Sequence, residues 1–291
     1  MVNGTAQVSV DLDHGGRWTS LRMGGREWLW HRDEPRRAHV SPGDAFADAG
    51  GIEECVPTIR GLPDHGDAWS RSWHDTGDGA AAVRCDDFTL RRAIRAEGTR
   101  VTARYRLSAD PGYRFVWAAH ALLDVSPAAT LCVEGRPGVR LYPEAAGFLG
   151  RPWPAGAPFA TVRWPGPAGL RLDRLGPEDG SAAGAIVRDR AVVIVRDRGA
   201  SLRMTLNVQA GSPAPRPSAP ASIALWRNLG GFPDGRPYRS IGVEPMLGSV
   251  FDLTEAREPG DAVTVPAVGY VEWELEIEEV TVENATAEAA S

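Results

Sequence analysis

Apolar and polar residues alternate along much of the chain, most regularly near its C-terminal end. Between Tyr270 and Glu279 nearly every second residue is a glutamate, and the residues between them are apolar: Val271, Trp273, Leu275 and Ile277. Arg100 to Leu107 alternates in the same way. Because neighbouring side chains of a strand point to opposite faces of a sheet, both segments are predicted to be half-buried antiparallel strands.

Shorter apolar segments bounded by turn residues predict further strands. We expect Trp18–Leu21 and Glu27–Trp30 to form a hairpin, and Thr130–Glu134 to return beside the long apolar run Tyr113–Val125. The other predicted strands are Val8–Leu12, Val192–Val195, Leu202–Val208, Ile223–Trp226 and Ile241–Leu247.

No segment longer than about ten residues has the 3.6-residue period of a helix. Irregular stretches at 31–49 and 136–167, and a Pro-rich stretch at 211–220, are predicted to be surface loops. Many short strands separated by turns indicate an all-β fold. We expect one large β-sandwich domain over residues 1–280, followed by an acidic, disordered tail over residues 281–291.

One segment follows neither period. Gly50–Trp73 combines glycines, prolines, paired acids, a histidine, arginines and two tryptophans. Irregular backbone of this kind usually lies at a surface or lines a cleft. Aromatic rings beside histidine, arginine and carboxylates are typical of a pocket for a polar ligand. We therefore predict that this segment forms part of a binding site.

Charge and composition narrow the classes of function. All 32 basic residues are arginines, which excludes a Schiff-base lysine and a P-loop. A net charge of −6 argues against general affinity for nucleic acid or membranes. Three widely spaced cysteines indicate neither a disulfide framework nor a zinc site. The sequence has no signal-peptide pattern and no apolar run of membrane-spanning length, so we expect a cytoplasmic protein.

Three polar residues are candidates for chemistry. His120 interrupts an apolar strand, where an imidazole needs either a partner in the core or a cavity. Glu244 follows an apolar stretch and precedes Pro245, which is expected to end strand pairing. A carboxylate there serves either as a base or in an ion pair with an arginine. His65, in an irregular Pro-Asp-His-Gly sequence, suits either a ligand contact or a local backbone contact.

Five motifs occur in a fixed order along the chain. They are Gly50-Gly-Ile-Glu-Glu-Cys-Val-Pro-Thr58, Pro63-Asp-His-Gly66 with Trp69, Trp117-Ala-Ala-His120, Leu225-Trp-Arg-Asn-Leu-Gly-Gly231, and Ile241-Gly-Val-Glu-Pro245 with Gly248. Their order and spacing resemble those of the aldose 1-epimerase (galactose mutarotase-like) superfamily, in particular its divergent bacterial members. The similarity covers nearly the whole chain.

The resemblance implies a large antiparallel β-supersandwich and an enzyme that interconverts sugar anomers without a cofactor or a metal. Glu244 resembles the family's base and His120 its acid, while His65 resembles a second pocket histidine that binds the sugar. Arg71 resembles a substrate-binding arginine of the hexose-phosphate branch. The remaining expected sugar contacts are Asp64, Glu54, Trp69, Trp164 and Trp226.

Two alternatives remain open on the sequence alone. A hexose-6-phosphate epimerase would need arginines that converge on the phosphate, and Arg60 and Arg71 are available. A carbohydrate-binding protein without catalysis would keep the pocket but would not need an ionisable Glu244. In each case the expected partner is a small-molecule sugar, a hexose or a hexose phosphate, bound by a monomer or a homodimer.

Overall fold

The computed structural model describes residues 5–208 and 220–280, which are rich in strands. The strands are β1 Gln7–Asp11, β2 Arg17–Met23, β3 Arg26–Glu27, β4 Ile52–Cys55, β5 His74–Gly77, β6 Ala80–Arg84, β7 Phe88–Glu97, β8 Arg100–Ala109, β9 Arg114–Phe115, β10 Trp117–Ala121, β11 Thr130–Cys132, β12 Gly138–Leu141, β13 Ala160–Arg163, β14 Ala182–Val187, β15 Val192–Asp197, β16 Ala200–Asn207, β17 Ala221–Leu229, β18 Arg239–Leu247, β19 Val263–Thr264 and β20 Tyr270–Glu279. Short 3-10 helices span Pro35–His39, Ala68–Ser70, Pro143–Phe148 and Leu253–Glu255. Among these described residues, no helix is long and apolar enough to cross a membrane.

Two large antiparallel sheets hold most of the strands. The larger has ten strands in the order β1-β2-β4-β10-β18-β17-β14-β12-β13, with β3 paired to β2. The second has eight strands in the order β11-β15-β16-β20-β8-β7-β6-β5, and β9 pairs separately with β19. Every strand pair is antiparallel. The predicted all-β antiparallel sandwich is confirmed.

The main hydrophobic core contains side chains from both large sheets. Trp117 and Leu225 of the ten-stranded sheet belong to the same buried cluster as Leu107 and Trp273 of the eight-stranded sheet. Strand β20 buries every second side chain, as its alternation predicts. The glutamates on its other face pair with arginines of β8 across the strand boundary. Burial of the apolar set against the facing sheet therefore explains why this pattern forms a strand.

The ten-stranded sheet has a second face, which we call the site face. Ala118 on β10 and Met246 on β18 contribute to a smaller buried cluster with Phe251, separate from the main core. His120 and Glu244 lie two residues along the same strands, and side chains two apart share a face. Both therefore point away from the main core.

The predicted pairing around the long apolar run is wrong. Tyr113–Val125 is divided between β9, which pairs with β19, and β10, which lies inside the ten-stranded sheet. Strand β11 pairs with β15 in the other sheet and does not return beside β10. Continuous hydrophobicity reflects burial on both faces, and it carries no information about which strand is the neighbour.

Two predicted irregular segments contain strands. Residues 136–167 include β12 and β13, which pair with each other at the edge of the ten-stranded sheet. Gly50–Trp73 includes β4, whose four residues are all buried and so show no alternation. The predicted loop at 211–220 lies almost wholly outside the described residues, and the predicted tail at 281–291 lies wholly outside them.

Candidate functional site

Three neighbouring strands bring charged residues together on the site face. His120 on β10 lies directly opposite Glu53 on β4. On the other side of β10, the flanking strand pairings place His120 opposite Glu244 on β18. Opposed residues of antiparallel strands share a face, with Cβ atoms about 4.5–5.5 Å apart. The sheet thus builds a row of acid, imidazole and acid.

His120 and Glu244 form a buried ion pair. Nδ1 of His120 lies 3.0 Å from Oε1 of Glu244, and the two side chains are 10% and 4% exposed. The atoms are close without the alignment of a hydrogen bond, so the attraction is chiefly electrostatic. Burial alone would lower the pKa of His120, but the carboxylates around it, Glu244 foremost and then Asp48 and Glu53, together outweigh burial and raise the pKa to about 9. At neutral pH His120 is therefore protonated.

Strand pairing does not end at Pro245, contrary to the prediction. Strand β18 continues beyond this proline, and its ladder with β17 is unbroken. Its ladder with β10 is interrupted instead, over the residues that flank His120 and Glu244. A proline has no N–H to donate to a ladder. The ion pair consequently lies in a local opening between two central strands.

Two glycines keep the floor of the site open. A Cβ on Gly242 would lie 2.3 Å from Oε1 of Glu244 and 3.0 Å from Cβ of Trp226. A Cβ on Gly184, which faces Trp226 across β14 and β17, would lie 2.8 Å from Nη2 of Arg60. Real Cβ atoms essentially never approach that closely. The absence of a side chain at these positions therefore makes room for the carboxylate and the guanidinium.

His65 lies beside this row and is held by two neighbours. Its Nδ1–H donates to Oδ1 of Asp64 at 2.8 Å, so Nε2 carries the lone pair. Phe46 stacks on the imidazole with 3.8 Å between ring centroids, and His120 meets it edge-on at 5.2 Å. Burial lowers the pKa of His65; Asp64 opposes this and the charged His120 adds to it. The two histidines therefore differ in charge at neutral pH.

These side chains line a cavity of about 800 Å³, a volume within the usual range for small-molecule sites. Its aromatic walls are Phe46, Trp226, Phe232, Tyr238 and Phe251. Its polar atoms come mainly from the sheet floor and from the loops that follow β3, β4, β12 and β17. Aromatic surfaces next to converging charged groups suit a ligand that has both apolar and polar parts.

The cavity carries many charges of both signs. Its arginines are Arg32, Arg36, Arg60 and Arg236, and its carboxylates are Asp33, Glu34, Asp48, Asp64, Glu144 and Glu244. Arg36 makes two hydrogen bonds of 2.8 Å to Glu34, and Arg60 lies 2.9 Å from Glu144. Counting protonated His120, five positive groups face six carboxylates. The cavity is thus close to neutral, with a slight negative excess.

Glu53, which the sequence did not single out as a site residue, lies in the same row as His120. Nε and Nη2 of Arg37 each donate to it at 3.0 Å, and both side chains are buried. Nη2 of Arg37 also donates to the backbone carbonyls of His14 and Trp69 at 2.8 Å. Two adjacent acids within a strand do carry one signal, since their side chains must point to opposite faces of the sheet.

Five of the nine predicted site residues line the cavity. His120, Glu244 and Trp226 come from the sheet floor, and Asp64 and His65 come from the loop after β4. The predicted residues that line the cavity therefore come from the sheet floor and from one adjoining loop. The other four residues lie elsewhere.

Glu54 faces the main core, contrary to the prediction that it contacts the sugar. Its carboxylate is fully buried and accepts hydrogen bonds from Arg92 at 2.6 Å, Trp117 at 2.8 Å and Tyr105 at 3.0 Å. Since adjacent side chains of a strand point in opposite directions, Glu53 takes the site face and Glu54 the core. Glu54 links the two sheets instead, because Arg92 and Tyr105 belong to the eight-stranded sheet.

Two of the predicted tryptophans and one arginine also lie outside the cavity. Trp69 is fully buried and supports the site from behind, donating its Nε1–H to the carbonyl of Asp64 at 2.9 Å. Trp164 belongs to the main core. Arg71 pairs with Asp86 at 3.1 Å. The predicted sugar contacts of these three residues are therefore wrong. Both indoles are buried in packing contacts, and the Arg71 guanidinium pairs with Asp86.

Several cavity residues were missed because they lie in segments without any period. Phe46, Tyr238 and Phe251 come from loops, and Glu144 comes from a short 3-10 helix. The three aromatic residues carry one signal, a bulky ring within a polar sequence rich in glycine and proline, which suggests a binding surface without identifying its partners.

The fold is that of the galactose mutarotase-like β-sandwiches. A galactose mutarotase-like protein from Lactobacillus casei ATCC 334 is 17% identical over 96% of this chain and 99% of that chain, with a TM-score of 0.60. A galactose mutarotase related enzyme from Lactobacillus acidophilus is 12% identical over 97% and 96%, with a TM-score of 0.59. A protein from Escherichia coli K12, provisionally assigned as an aldose 1-epimerase, is 15% identical over 96% and 97%, with a TM-score of 0.66.

At these identities the likeness establishes the fold, and it confirms the expected resemblance at that level. No family model matches the sequence, and no curated protein matches it.

Proposed function

We propose that this protein interconverts the α and β anomers of a sugar by general acid and base catalysis. The observation that carries the proposal is the buried ion pair of His120 and Glu244 at the floor of a cavity. An acid and a base held together are what ring opening of a cyclic sugar requires. The mutarotase-like fold and the names of its structural neighbours support the same reaction.

The proposed reaction moves one proton between the sugar and Glu244 and another between the sugar and His120. Glu244 takes the proton of the C1 hydroxyl while His120 gives a proton from Nε2 to the ring oxygen. The bond between C1 and the ring oxygen breaks, and a carbonyl forms at C1. After rotation about C1–C2, the hydroxyl attacks the other face of the carbonyl. His120 then takes back its proton, Glu244 returns its own, and both residues regain their starting charges.

The other cavity residues are suited to hold the sugar during these steps. Nε2 of His65 can accept a hydrogen bond from a sugar hydroxyl, because Asp64 holds the proton on Nδ1. Arg60 and Glu144 provide a donor and an acceptor side by side. Trp226 offers a partly exposed indole on the floor of the cavity, on which the apolar face of a pyranose can stack.

The charges of the cavity favour a neutral sugar over a sugar phosphate. A phosphate dianion needs arginines with unfilled donors. Of the four cavity arginines, Arg36 is bound to Glu34 and Arg60 lies against Glu144, and the cavity as a whole carries a slight negative excess. Arg71, the second arginine expected for a phosphate, does not line the cavity. The proposed substrate is therefore an uncharged aldose.

Anomer exchange measured by saturation-transfer NMR on a panel of hexoses and hexose 6-phosphates tests the proposal. We expect the wild type to accelerate exchange of at least one neutral hexose. Glu244→Gln should lower kcat by about 100-fold or more, the scale of a lost general base, with little change in KM. Glu274→Gln, which removes a carboxylate on the outer face of β20, in the sheet opposite the cavity, is the matched control and should leave the rate unchanged.

Three outcomes would contradict the proposal. Equal rates for the wild type and Glu244→Gln on every sugar would remove the acid–base assignment. Saturable sugar binding without any exchange would indicate a carbohydrate-binding protein. Faster exchange of hexose 6-phosphates, inhibited by inorganic phosphate, would indicate the phosphorylated substrate class.

A further inference from the structure

A second carboxylate lies behind the proposed acid and has no part in the steps above. Glu53 opposes His120 across β4 and β10, and Arg37 binds both of its oxygens. From the 3-10 helix Pro35–His39 to β18 the charges alternate in sign through Arg37, Glu53, His120 and Glu244. None of the four side chains is more than 10% exposed. Water therefore screens these interactions weakly.

We propose that Glu53 is a positioning residue for His120: its carboxylate, fixed by Arg37, stabilises the imidazolium and favours its return after ring opening. Glu53 is not among the cavity-lining residues, so it acts on the sugar only through His120. The effect on His120 stands by itself. The effect on turnover rests on the proposed function.

The need for this residue follows from the charges during the reaction. When the ring opens, Glu244 has gained a proton and His120 has lost one, so the ion pair between them no longer exists. Glu53 receives no proton from the sugar. Burial raises its pKa to about 7, against the opposing effect of Arg37, so above that pH the carboxylate keeps its negative charge. Its field then favours transfer of the proton from the new hydroxyl back to Nε2 of His120, which is the step that closes the ring.

The position of Glu53 is fixed before any ligand binds. Both of its oxygens accept from Arg37, and Arg37 is itself anchored to two backbone carbonyls. A Cβ on Gly15 would lie 2.0 Å from the carbonyl oxygen of Trp69 and 2.4 Å from Nη2 of Arg37, so the adjacent turn packs closely against both. A preorganised charge of this kind costs no reorganisation when the reaction occurs.

Several other titratable groups also act on His120, and they come from three directions. They are Glu244 on β18, His65 and Asp64 in the loop after β4, and Asp48 in the loop before β4. Glu53, Glu244 and Asp48 each raise the pKa of His120 against the effect of burial. Of these carboxylates, Glu53 alone is not a cavity-lining residue. Its replacement therefore changes the field at His120 and leaves the cavity wall intact.

NMR titration of the His120 ring tests the inference without any need for turnover. In Glu53→Gln we expect the apparent pKa of His120 to fall by about one unit. A fall of this size is expected when one nearby buried carboxylate is lost and the remaining carboxylates still stabilise the imidazolium. Glu53→Asp keeps the charge and should restore most of the wild-type value. Glu54→Gln removes the adjacent carboxylate on the opposite face and should leave the titration unchanged. The alkaline limb of the kcat profile should move with the titration.

An unchanged His120 titration in Glu53→Gln would overturn the inference, as would an equal shift in Glu54→Gln. If Glu53→Gln does not fold, carbon NMR of the wild type decides instead, because a Glu53 carboxyl still protonated at pH 8 could not stabilise the imidazolium. A shifted titration in a protein that exchanges no sugar would refute the proposed function and leave this inference standing.

Discussion

Glu244 reaches His120 by lying over a residue that has no side chain. The site floor at Gly242 leaves no room for a methyl group, since a Cβ would come within 2.3 Å of Oε1 of Glu244. Neither its backbone conformation nor its strand pairing requires glycine there. Gly242 is therefore important because it leaves space for the carboxylate of Glu244.

Gly242→Ala is expected to displace the Glu244 carboxylate and to lower the anomer exchange rate by about 100-fold, because misplacing a reacting group by about 1 Å has that effect. Gly138→Ala on β12 is the control, since an added Cβ there meets nothing within 4 Å. Exchange NMR on both variants, with circular dichroism to verify folding, measures the difference. Equal rates in the two variants would show that the carboxylate adjusts without loss.

The sequence revealed some of these residues and not others, for a physical reason. His120 and Glu244 are visible because a polar residue within an apolar strand must have a partner or a cavity. Arg37 and Glu53 are 16 residues apart, and Arg37 lies in a segment without period. Their contact depends on how a turn, a loop and a strand meet in space, which no local pattern encodes.

At the scale of elements, the short strand β4 carries one acid on the site face and one acid that stabilises the core. Glu53 faces the site and Glu54 faces the core, where it joins the two sheets. The strand was not predicted because both of its faces are buried and its residues do not alternate in polarity. Strand β20 was predicted because one of its faces is in solvent.

Glu54→Ala is expected to lower the free energy of unfolding by about 3–5 kcal/mol, the usual cost of leaving a buried charge without its partner. Arg92 would lose its counter-ion, and Tyr105 and Trp117 would lose an acceptor. Glu274→Ala breaks an exposed pair with Arg104 and should cost less than about 1 kcal/mol. Urea unfolding of both variants provides the comparison. Similar losses would mean that Glu54 does not join the sheets energetically.

At the scale of the whole molecule, one sheet serves two purposes. Its inner face completes the main core, and its outer face carries the cavity. The alternation of individual strands indicated a sandwich. It could not show that β10 lies between β4 and β18, because those pairings join residues far apart in sequence. The order of the five motifs supplied that information only through resemblance to a known fold.

The titration of His120 links pH to the stability of the entire protein. Its pKa is raised from 6.5 to about 9 by folding, so the folded protein binds this proton more tightly than the unfolded chain. The stabilising contribution is complete below about pH 6.5 and is lost as the pH rises through about 9.

We therefore expect the unfolding free energy of the wild type, relative to Glu244→Gln, to decrease between pH 6.5 and 9 in urea titrations. His120→Asn, which has no imidazole to titrate, should lack this slope. A wild-type advantage that grows with pH would contradict the ion pair.

The interrupted ladder beside Pro245 matters to anyone who would engineer this protein for robustness. Replacing a proline inside a central strand with a residue that can donate a hydrogen bond is an obvious repair. Here the repair would draw β10 and β18 together where His120 and Glu244 face one another. The substitution that raises stability would then disturb the arrangement of the two proposed catalytic residues. A screen for stability alone would therefore select variants that have lost activity.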